Sequence, residues 1–164
     1  MARGGKCEYD DVMRFKANLE RFQGRELDAL ARRICNLIAS ALVSDVVKLT
    51  PPGSGHLKKR WQQSAARKKG NHWEVNVYNT APYAIYVEVG HLTCKPGVKQ
   101  RWVPGYWKES KEFVYVPGAK TGMLLKQQWV KGRFMLTRAQ KQLDKKARII
   151  IAEEVKKKLG EMFG

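Results

Sequence analysis

The sequence predicts an α+β fold in which two long helices accompany a small, mostly antiparallel sheet. Apolar residues recur with the helical period of 3.6 between about Arg25 and Lys48, and again over residues 134–162. The stretch 56–90 alternates apolar and polar residues instead, which is typical of short strands. Residues 91–131 are interrupted by glycine and proline and predict an extended loop or hairpin inserted before the last helix. A length of 164 residues fits a single domain.

The N-terminal helical arm is predicted over residues 9–48. Gly24 interrupts the apolar period, so the pattern indicates either two helices or one helix with a kink at this glycine. The arm ends at Thr50, because Pro51 disfavours helix at the residue before it and cannot donate a backbone hydrogen bond. From Leu57 onward we expect extended chain.

Three strands follow in the prediction, and short connections favour an antiparallel meander. His72–Asn79 and Ala81–Val89 show the clearest alternation. In the second of these, Tyr83, Ile85, Val87 and Val89 would share one apolar face.

Glu88 lies near the end of this apolar strand, three residues before His91. One interpretation is an acid–base pair, as in a small basic nuclease. The other is a structural carboxylate that ends a strand and accepts hydrogen bonds at the turn of Gly90. A lone Glu-x-x-His is weak support for catalysis because no third member of a site is visible.

Other chemistry finds little support in the sequence. His91 and Cys94 are the only close pair of metal-ligating types, so a zinc site is not predicted. Gly53-Ser54-Gly55 lacks the Lys-Ser/Thr ending of a phosphate-binding loop and is better interpreted as a tight turn. We therefore predict no enzyme activity, no metal and no cofactor.

The cysteines and the apolar runs indicate where such a protein is made. Cys7, Cys35 and Cys94 are an odd set without repeating spacing, which favours reduced thiols. No apolar run approaches the roughly 20 residues of a membrane-spanning helix. The N-terminus has no apolar core of a secretory signal. We expect synthesis in the cytoplasm and no membrane partner.

The formal net charge is +17, and it is concentrated in two segments. Residues 51–70 and 131–164 each carry a net +6. Such a charge indicates contact with nucleic acid or with acidic protein surfaces, although a solvated basic surface is an equal alternative. No helix-turn-helix, zinc-finger or RNA-recognition signature is present, so any DNA contact is expected to be non-specific. The candidate contact residues surround Trp61 and are Lys58, Lys59, Arg60, Arg67, Lys68 and Lys69.

The insert 91–131 contains large aromatic side chains that a small domain has difficulty burying. We expect it to be mobile in the isolated protein and to become ordered when it binds a partner. The alternative is that it folds back and supplies a second core layer. The candidate partner-binding residues are Trp102, Tyr106, Trp107, Phe113, Tyr115 and Trp129.

Three stretches together resemble the neck, or tail-completion, proteins of tailed bacteriophages. TPPGSGHLKKRW, residues 50–61, is similar to that family's TPVDTG-x-L-R-x-S motif, although Gly53-Ser54 replaces its Asp-Thr. YAIYVEVGH, residues 83–91, resembles YA-x-YVE-x-G, and GRFMLT, residues 132–137, resembles the segment that opens the family's last helix. The motif residues are Pro52, Gly53, Ser54, Gly55, Leu57, Tyr83, Tyr86, Glu88, Gly90, Gly132 and Phe134.

The resemblance, which covers roughly residues 10–160, implies a structural protein of the virion neck. Family members form homo-oligomeric rings that join the DNA-filled head to the tail and let DNA pass. Their partners are phage proteins on the portal or adaptor side and on the tail-terminator side. The long tryptophan-rich insert is similar to the form found in contractile-tailed phages and defective prophages of Gram-positive bacteria. The alternative from another class is a basic, non-specific nucleic-acid-binding protein.

Overall fold

The computed structural model describes residues 13, 14, 16, 17, 20, 22, 24–53 and 55–163. The helices are α1 (Arg25–Leu49), α2 (His56–Lys59), α3 (Ala84–Val89) and α4 (Met135–Phe163). The strands are β1 (Trp61–Gln63), β2 (Arg67–Lys69), β3 (His72–Glu74), β4 (Val77–Asn79), β5 (Gly90–Leu92), β6 (Gln100–Trp107), β7 (Phe113–Tyr115), β8 (Gly122–Lys126) and β9 (Trp129–Lys131). The predicted α+β class is confirmed.

The chain forms two compact units. The first, here called the helical unit, comprises Met1–Ala81 and Met135–Gly164, and the second, the aromatic unit, comprises Pro82–Phe134. The single domain that we expected over residues 1–164 stays a prediction.

Helices α1 and α4 run antiparallel in the helical unit. Ion pairs follow their length in opposite residue order: Glu26 with Lys158 at 3.0 Å, Arg33 with Glu154 at 2.7 Å, and Asp45 with Lys146 at 2.5 Å. Both helices begin and end within one or two residues of the predicted bounds. The buried core comes mostly from the two helices themselves, and it contains Leu30, Ala39, Leu42, Val46, Leu57, Met135 and Ala139.

Four short strands of the helical unit form two antiparallel pairs. β2 pairs with β3, and β1 pairs with β4, so the chain from Trp61 to Asn79 is a nested hairpin. The expected single strand His72–Asn79 is wrong in one respect: it is divided at Val75-Asn76. The two halves pair with different strands, which forces the break.

The aromatic unit contains the other five strands. β5 pairs with β9, and β6 lies between β7 and β8 in a three-stranded antiparallel sheet. The prediction of little regular structure across the insert is therefore wrong. β7 pairs with the second half of β6. The first half of β6 pairs with β8 instead.

The predicted strand Ala81–Val89 is also wrong. Residues Ala84–Val89 are the helix α3. Ala84, Val87 and Glu88 are its half-buried positions, which is the i, i+3, i+4 spacing of a helix. Ile85 is 58% exposed, so the alternation that suggested an inward strand face does not describe its environment.

The part of the N-terminal arm that precedes Gly24 lies mostly outside the described residues. Those described between residues 9 and 23 are helical. Gly24 has a φ of +79° immediately before α1, and its carbonyl accepts the Asp28 N–H at 3.0 Å. A positive φ is the backbone feature that glycine permits at an interruption of this kind.

Candidate assembly surface

The first motif forms a corner at the end of α1 that is fixed by a buried threonine. Thr50 is 2% exposed. Its Oγ1 donates to the Val46 carbonyl at 2.6 Å and accepts a hydrogen bond from the Trp61 indole Nε1–H at 2.9 Å. Trp61, which the predicted basic contact residues flank in the sequence, is therefore a half-buried structural residue.

The glycines of this motif make the turn. Gly55 has a φ of +74°, and its N–H donates to the Pro52 carbonyl at 2.8 Å. The helix α2 follows directly, so the prediction of extended chain from Leu57 is wrong. Leu57 is buried, and its carbonyl accepts the Asn79 side-chain amide at 2.8 Å. Gly53 also has a positive φ, while Ser54 lies outside the described residues.

The second and third motifs meet in the aromatic unit. Val87 and Glu88 accept backbone hydrogen bonds from the N–H groups of Arg133 and Phe134, at 2.8 Å and 2.9 Å. Immediately beyond, Gly90 pairs with Lys131 in the β5–β9 ladder. Residues that are more than 40 positions apart in sequence therefore form one structural element, which accounts for their joint presence as motifs.

Glu88 contributes its backbone carbonyl to this junction from within a helix. The residue is half-buried, and the carbonyl oxygen accepts the Phe134 N–H. His91, the other residue of the Glu-x-x-His pair, lies against Tyr86: its ring contacts Tyr86 edge-on at 5.8 Å, and its Nδ1 lies 3.4 Å from the Tyr86 carbonyl. The role of the Glu88 carboxylate as a latch stays a prediction.

The predicted partner-binding aromatics are mostly exposed. The exposed fractions are 62% for Tyr115, 60% for Trp129, 57% for Trp107, 55% for Trp102 and 51% for Tyr106. Phe113 is the exception: it is half-buried and packs edge-on against Trp107 at 5.1 Å.

The three-stranded sheet carries all of these residues except Trp129, which lies in β9, and it carries them on both faces. Trp102 and Leu124 are directly opposed in register, which places them on one face with Tyr106. Trp107, opposed to Phe113, shares the other face with Tyr115. A sheet packed on one side would leave only one apolar face exposed. Leu124, 52% exposed, was missed by the sequence reasoning because a leucine in a short strand resembles a core residue.

The predicted basic cluster separates into two groups. Lys58, Lys59 and Arg60 lie at α2, and Arg67, Lys68 and Lys69 form β2. Lys68 Nζ contacts both carboxylate oxygens of Asp28 at 2.7 Å, and Lys69 lies 3.8 Å from Glu74.

Among the described residues, Asp28 and Cys35 have shifted pKa values. The hydrogen bond from Lys68 holds the pKa of Asp28 below its ordinary value. Burial raises the pKa of the Cys35 thiol, whose Sγ lies 3.7 Å from the Trp73 carbonyl. Within the described residues, no three His, Cys, Asp or Glu side chains converge. No helix in the described part of the chain is long and apolar enough to span a bilayer.

Comparison with known proteins identifies the kind of protein to which these motifs belong. Residues 13–90 match the family described as "Bacteriophage HK97-gp10, putative tail-component". The matched segment is just under half of the chain. It includes the first two motifs and stops at Gly90, before the insert, the third motif and α4. No solved structure gives a significant match.

Two curated relatives come from Bacillus subtilis (strain 168). "Uncharacterized protein YqbI" is 47% identical over 62 residues, which are 36% of this chain and 36% of that protein. "Phage-like element PBSX protein XkdI" is 48% identical over 50 residues, which are 30% of this chain and 29% of that protein. The match spans about a third of the length of these relatives. Residues 13–90 are therefore similar to the HK97-gp10-like family of phage tail components, which confirms the resemblance to phage neck and tail-completion proteins.

Proposed function

We propose that this chain is a virion protein of the phage neck, where a closed ring of identical copies joins the head to the tail and surrounds the DNA path. The family supports a structural role in a phage particle. The observation that carries the ring is the exposed apolar surface of the aromatic unit. A role in joining needs no reaction, and the protein acts without metal or cofactor.

The aromatic unit has little core of its own. Among its described apolar side chains, Cys94 is the one classed as buried. Exposed apolar patches of more than a few hundred Å² are uncommon on monomers and mark interaction surfaces. Tryptophan and tyrosine are also the side chains most often found to dominate binding energy at protein interfaces, at about 2 kcal/mol or more each. Association with other subunits would therefore stabilise this unit.

The two exposed sheet faces favour a ring over a dimer. Trp102 and Leu124 form one face, while Trp107 and Tyr115 belong to the other. Two different apolar surfaces on one subunit suit head-to-tail contacts, each copy offering one face to each neighbour, and such contacts generate closed rings when the rotation closes.

The basic residues provide the second part of the proposal. The subunit carries a net +17, and a ring multiplies this charge around its axis. Lys58, Lys59 and Arg60 contact the DNA path or acidic patches on adjoining rings. Lys68 has a competing role because it is paired with Asp28. Phosphate contacts of this type are independent of sequence and weaken steeply with salt.

Assembly can be tested with one exposed residue and a matched control. Trp102→Glu places a charge in the proposed interface, and Ile149→Glu changes a side chain of similar exposure, 58%, on α4 of the helical unit. We expect Trp102→Glu to abolish oligomers while the subunit stays folded, as measured by analytical ultracentrifugation and circular dichroism. Equal assembly of both variants would exclude the sheet face as the ring interface.

The alternative function, a basic nucleic-acid-binding protein, is favoured by the same charge. A monomer that binds DNA at about 0.15 M salt, without assembling on phage proteins, would support it over the neck. A multi-subunit assembly that is free of DNA would support the neck.

A further inference from the structure

An open groove of about 490 Å³ lies in the aromatic unit, where the chain passes from β5 to the start of β6. Leu92 and Val98 supply apolar lining, and Tyr86 contributes its aromatic ring. Lys95 and Arg101 are the cations at the groove, and no carboxylate is among its lining residues. The groove therefore combines apolar surface with positive charge.

Hydrogen bonds hold the loop that forms one wall of this groove. The Thr93 N–H donates to the Gln128 carbonyl at 3.0 Å, and the Thr93 hydroxyl donates to the Lys126 carbonyl at 2.6 Å. Further along, the Gln127 side-chain amide donates to the Lys95 carbonyl at 3.1 Å. A site held in this way loses less conformational entropy on binding than a loose loop does.

The lining defines the chemistry of the ligand. A peptide with several carboxylates beside an aromatic or aliphatic side chain would place opposite charges at Lys95 and Arg101. Its apolar groups would lie over Leu92 and Val98. Complementary charge of this kind sets specificity and the rate of encounter more than it sets affinity.

The chain itself carries such a peptide. Residues 8–12 read Glu-Tyr-Asp-Asp-Val, with three carboxylates in four positions, an aromatic ring between them and a valine next to them. This is the densest acidic run in a chain of net charge +17. It lies outside the described residues and before residue 13, where the family match begins. Copies with this charge repel one another unless acidic segments meet basic surfaces.

We propose that the acidic N-terminal segment of one copy, residues 8–12, docks into the Lys95–Arg101 groove of a second copy. The inference rests on the proposed function, in which identical copies are neighbours, and it adds the contact that sets their direction around the ring. The segment and the groove are different surfaces, so the contact is head-to-tail and can repeat from copy to copy.

A charge exchange between two full-length variants tests the docking. The groove variant carries Lys95→Glu and Arg101→Glu, and the segment variant carries Glu8→Lys, Asp10→Lys and Asp11→Lys. Each alone puts like charges together, so each should self-associate roughly tenfold more weakly than the parent protein. Mixed at equal concentration, the two variants restore opposite charges and should recover association. Sedimentation at 0.05 M and 0.5 M salt measures both, and the recovery should fade at the higher salt.

A control variant separates the groove from net charge. Lys120→Glu with Lys131→Glu makes the same change in charge at two exposed residues that do not line the groove. It should associate nearly as the parent does. If control and groove variants weaken equally, or if mixing restores nothing, the docking is overturned.

The same variants also show whether the groove binds something other than residues 8–12. If the groove variant loses binding to a DNA fragment or to another phage protein while the segment variant behaves as the parent, the groove has a different ligand. A parent protein that stays monomeric up to about 1 mM also overturns the docking, because this contact needs only two copies. The neck proposal is tested separately, by the location of the chain in particles, and can stand if the docking fails.

Discussion

Gly90 and Gly132 approach each other across the junction of β5 and β9 so closely that neither can carry a side chain. A Cβ atom on Gly90 would lie 2.8 Å from the Gly132 nitrogen and 2.5 Å from the Val130 carbonyl oxygen. A Cβ atom on Gly132 would lie 2.8 Å from the Gly90 nitrogen and would overlap the Glu88 carbonyl oxygen. These four neighbouring atoms all belong to the backbone, which cannot move aside as a flexible side chain does.

Gly132→Ala should therefore destabilise the protein by about 2 kcal/mol or more, the order expected for overpacking. Gly132 is not among the glycines of positive φ, so this cost is steric. Gly160→Ala is the matched control: it lies in α4 with open space around it and should be neutral or stabilising by up to about 1 kcal/mol. Urea unfolding measures both, and similar values for the two variants would contradict the close approach.

The corner after α1 should show coupling between Thr50 and Trp61. Thr50→Val removes the hydroxyl but keeps the shape, leaving the Trp61 indole N–H without its acceptor, at a cost of about 1–3 kcal/mol. Thr50→Ser retains the hydroxyl and should cost less. In a double-mutant cycle with Trp61→Phe, the double variant should lose about 1 kcal/mol less stability than the sum of the two single losses. Strict additivity would show that the hydrogen bond contributes nothing.

Ion pairs in this protein should differ in their contribution to the free energy of unfolding according to their burial. Asp45 is 6% exposed, so Lys146→Met leaves a carboxylate without a partner in a dehydrated position. We expect a loss of about 2 kcal/mol, below the range for fully buried pairs because Lys146 is itself half-exposed. Lys108→Met, at the exposed pair with Glu112, should change the free energy of unfolding by less than about 0.5 kcal/mol.

The Asp28–Lys68 pair predicts a pH dependence. The pKa of Asp28 is lowered in the folded protein, chiefly by the hydrogen bond from Lys68, from an ordinary value of 3.8. A carboxyl with a depressed folded pKa contributes stability above its unfolded pKa and loses it as the pH falls through the folded pKa. The stability difference between the parent and Lys68→Met should thus be present at pH 7 and shrink below about pH 4. A difference that grows on acidification would contradict this assignment.

The long helices were predictable because their pattern repeats over many turns. In α1 the apolar period extends from Leu27 to Leu42 and is ended by Pro51, so chance alternation cannot imitate it. The segment 84–89 is too short for such averaging. In six residues, apolar positions that alternate also satisfy a helical spacing. The hydrogen bonds that Val87 and Glu88 accept from Arg133 and Phe134, between β9 and α4, decide between the two.

The candidate site was predictable by residue type more than by arrangement. Exposed aromatics were expected from a stretch with six large rings and little length to bury them, and five of the six are exposed. The sequence did not indicate their sheet, because Pro104 and Gly105 interrupt β6 where a strand pattern is normally sought. From the sequence, the basic stretch 58–69 was predicted to be one cluster. In the structure its first half lies at α2 and its second half forms β2 of the nested hairpin.

Electron cryomicroscopy of tailed particles that contain this chain tests the central claim most directly. The account predicts a closed ring of several copies at the junction of head and tail, with the Trp102–Leu124 face buried between neighbouring subunits. Density for the chain at another position in the particle, or a ring in which this sheet face stays exposed to solvent, would contradict it.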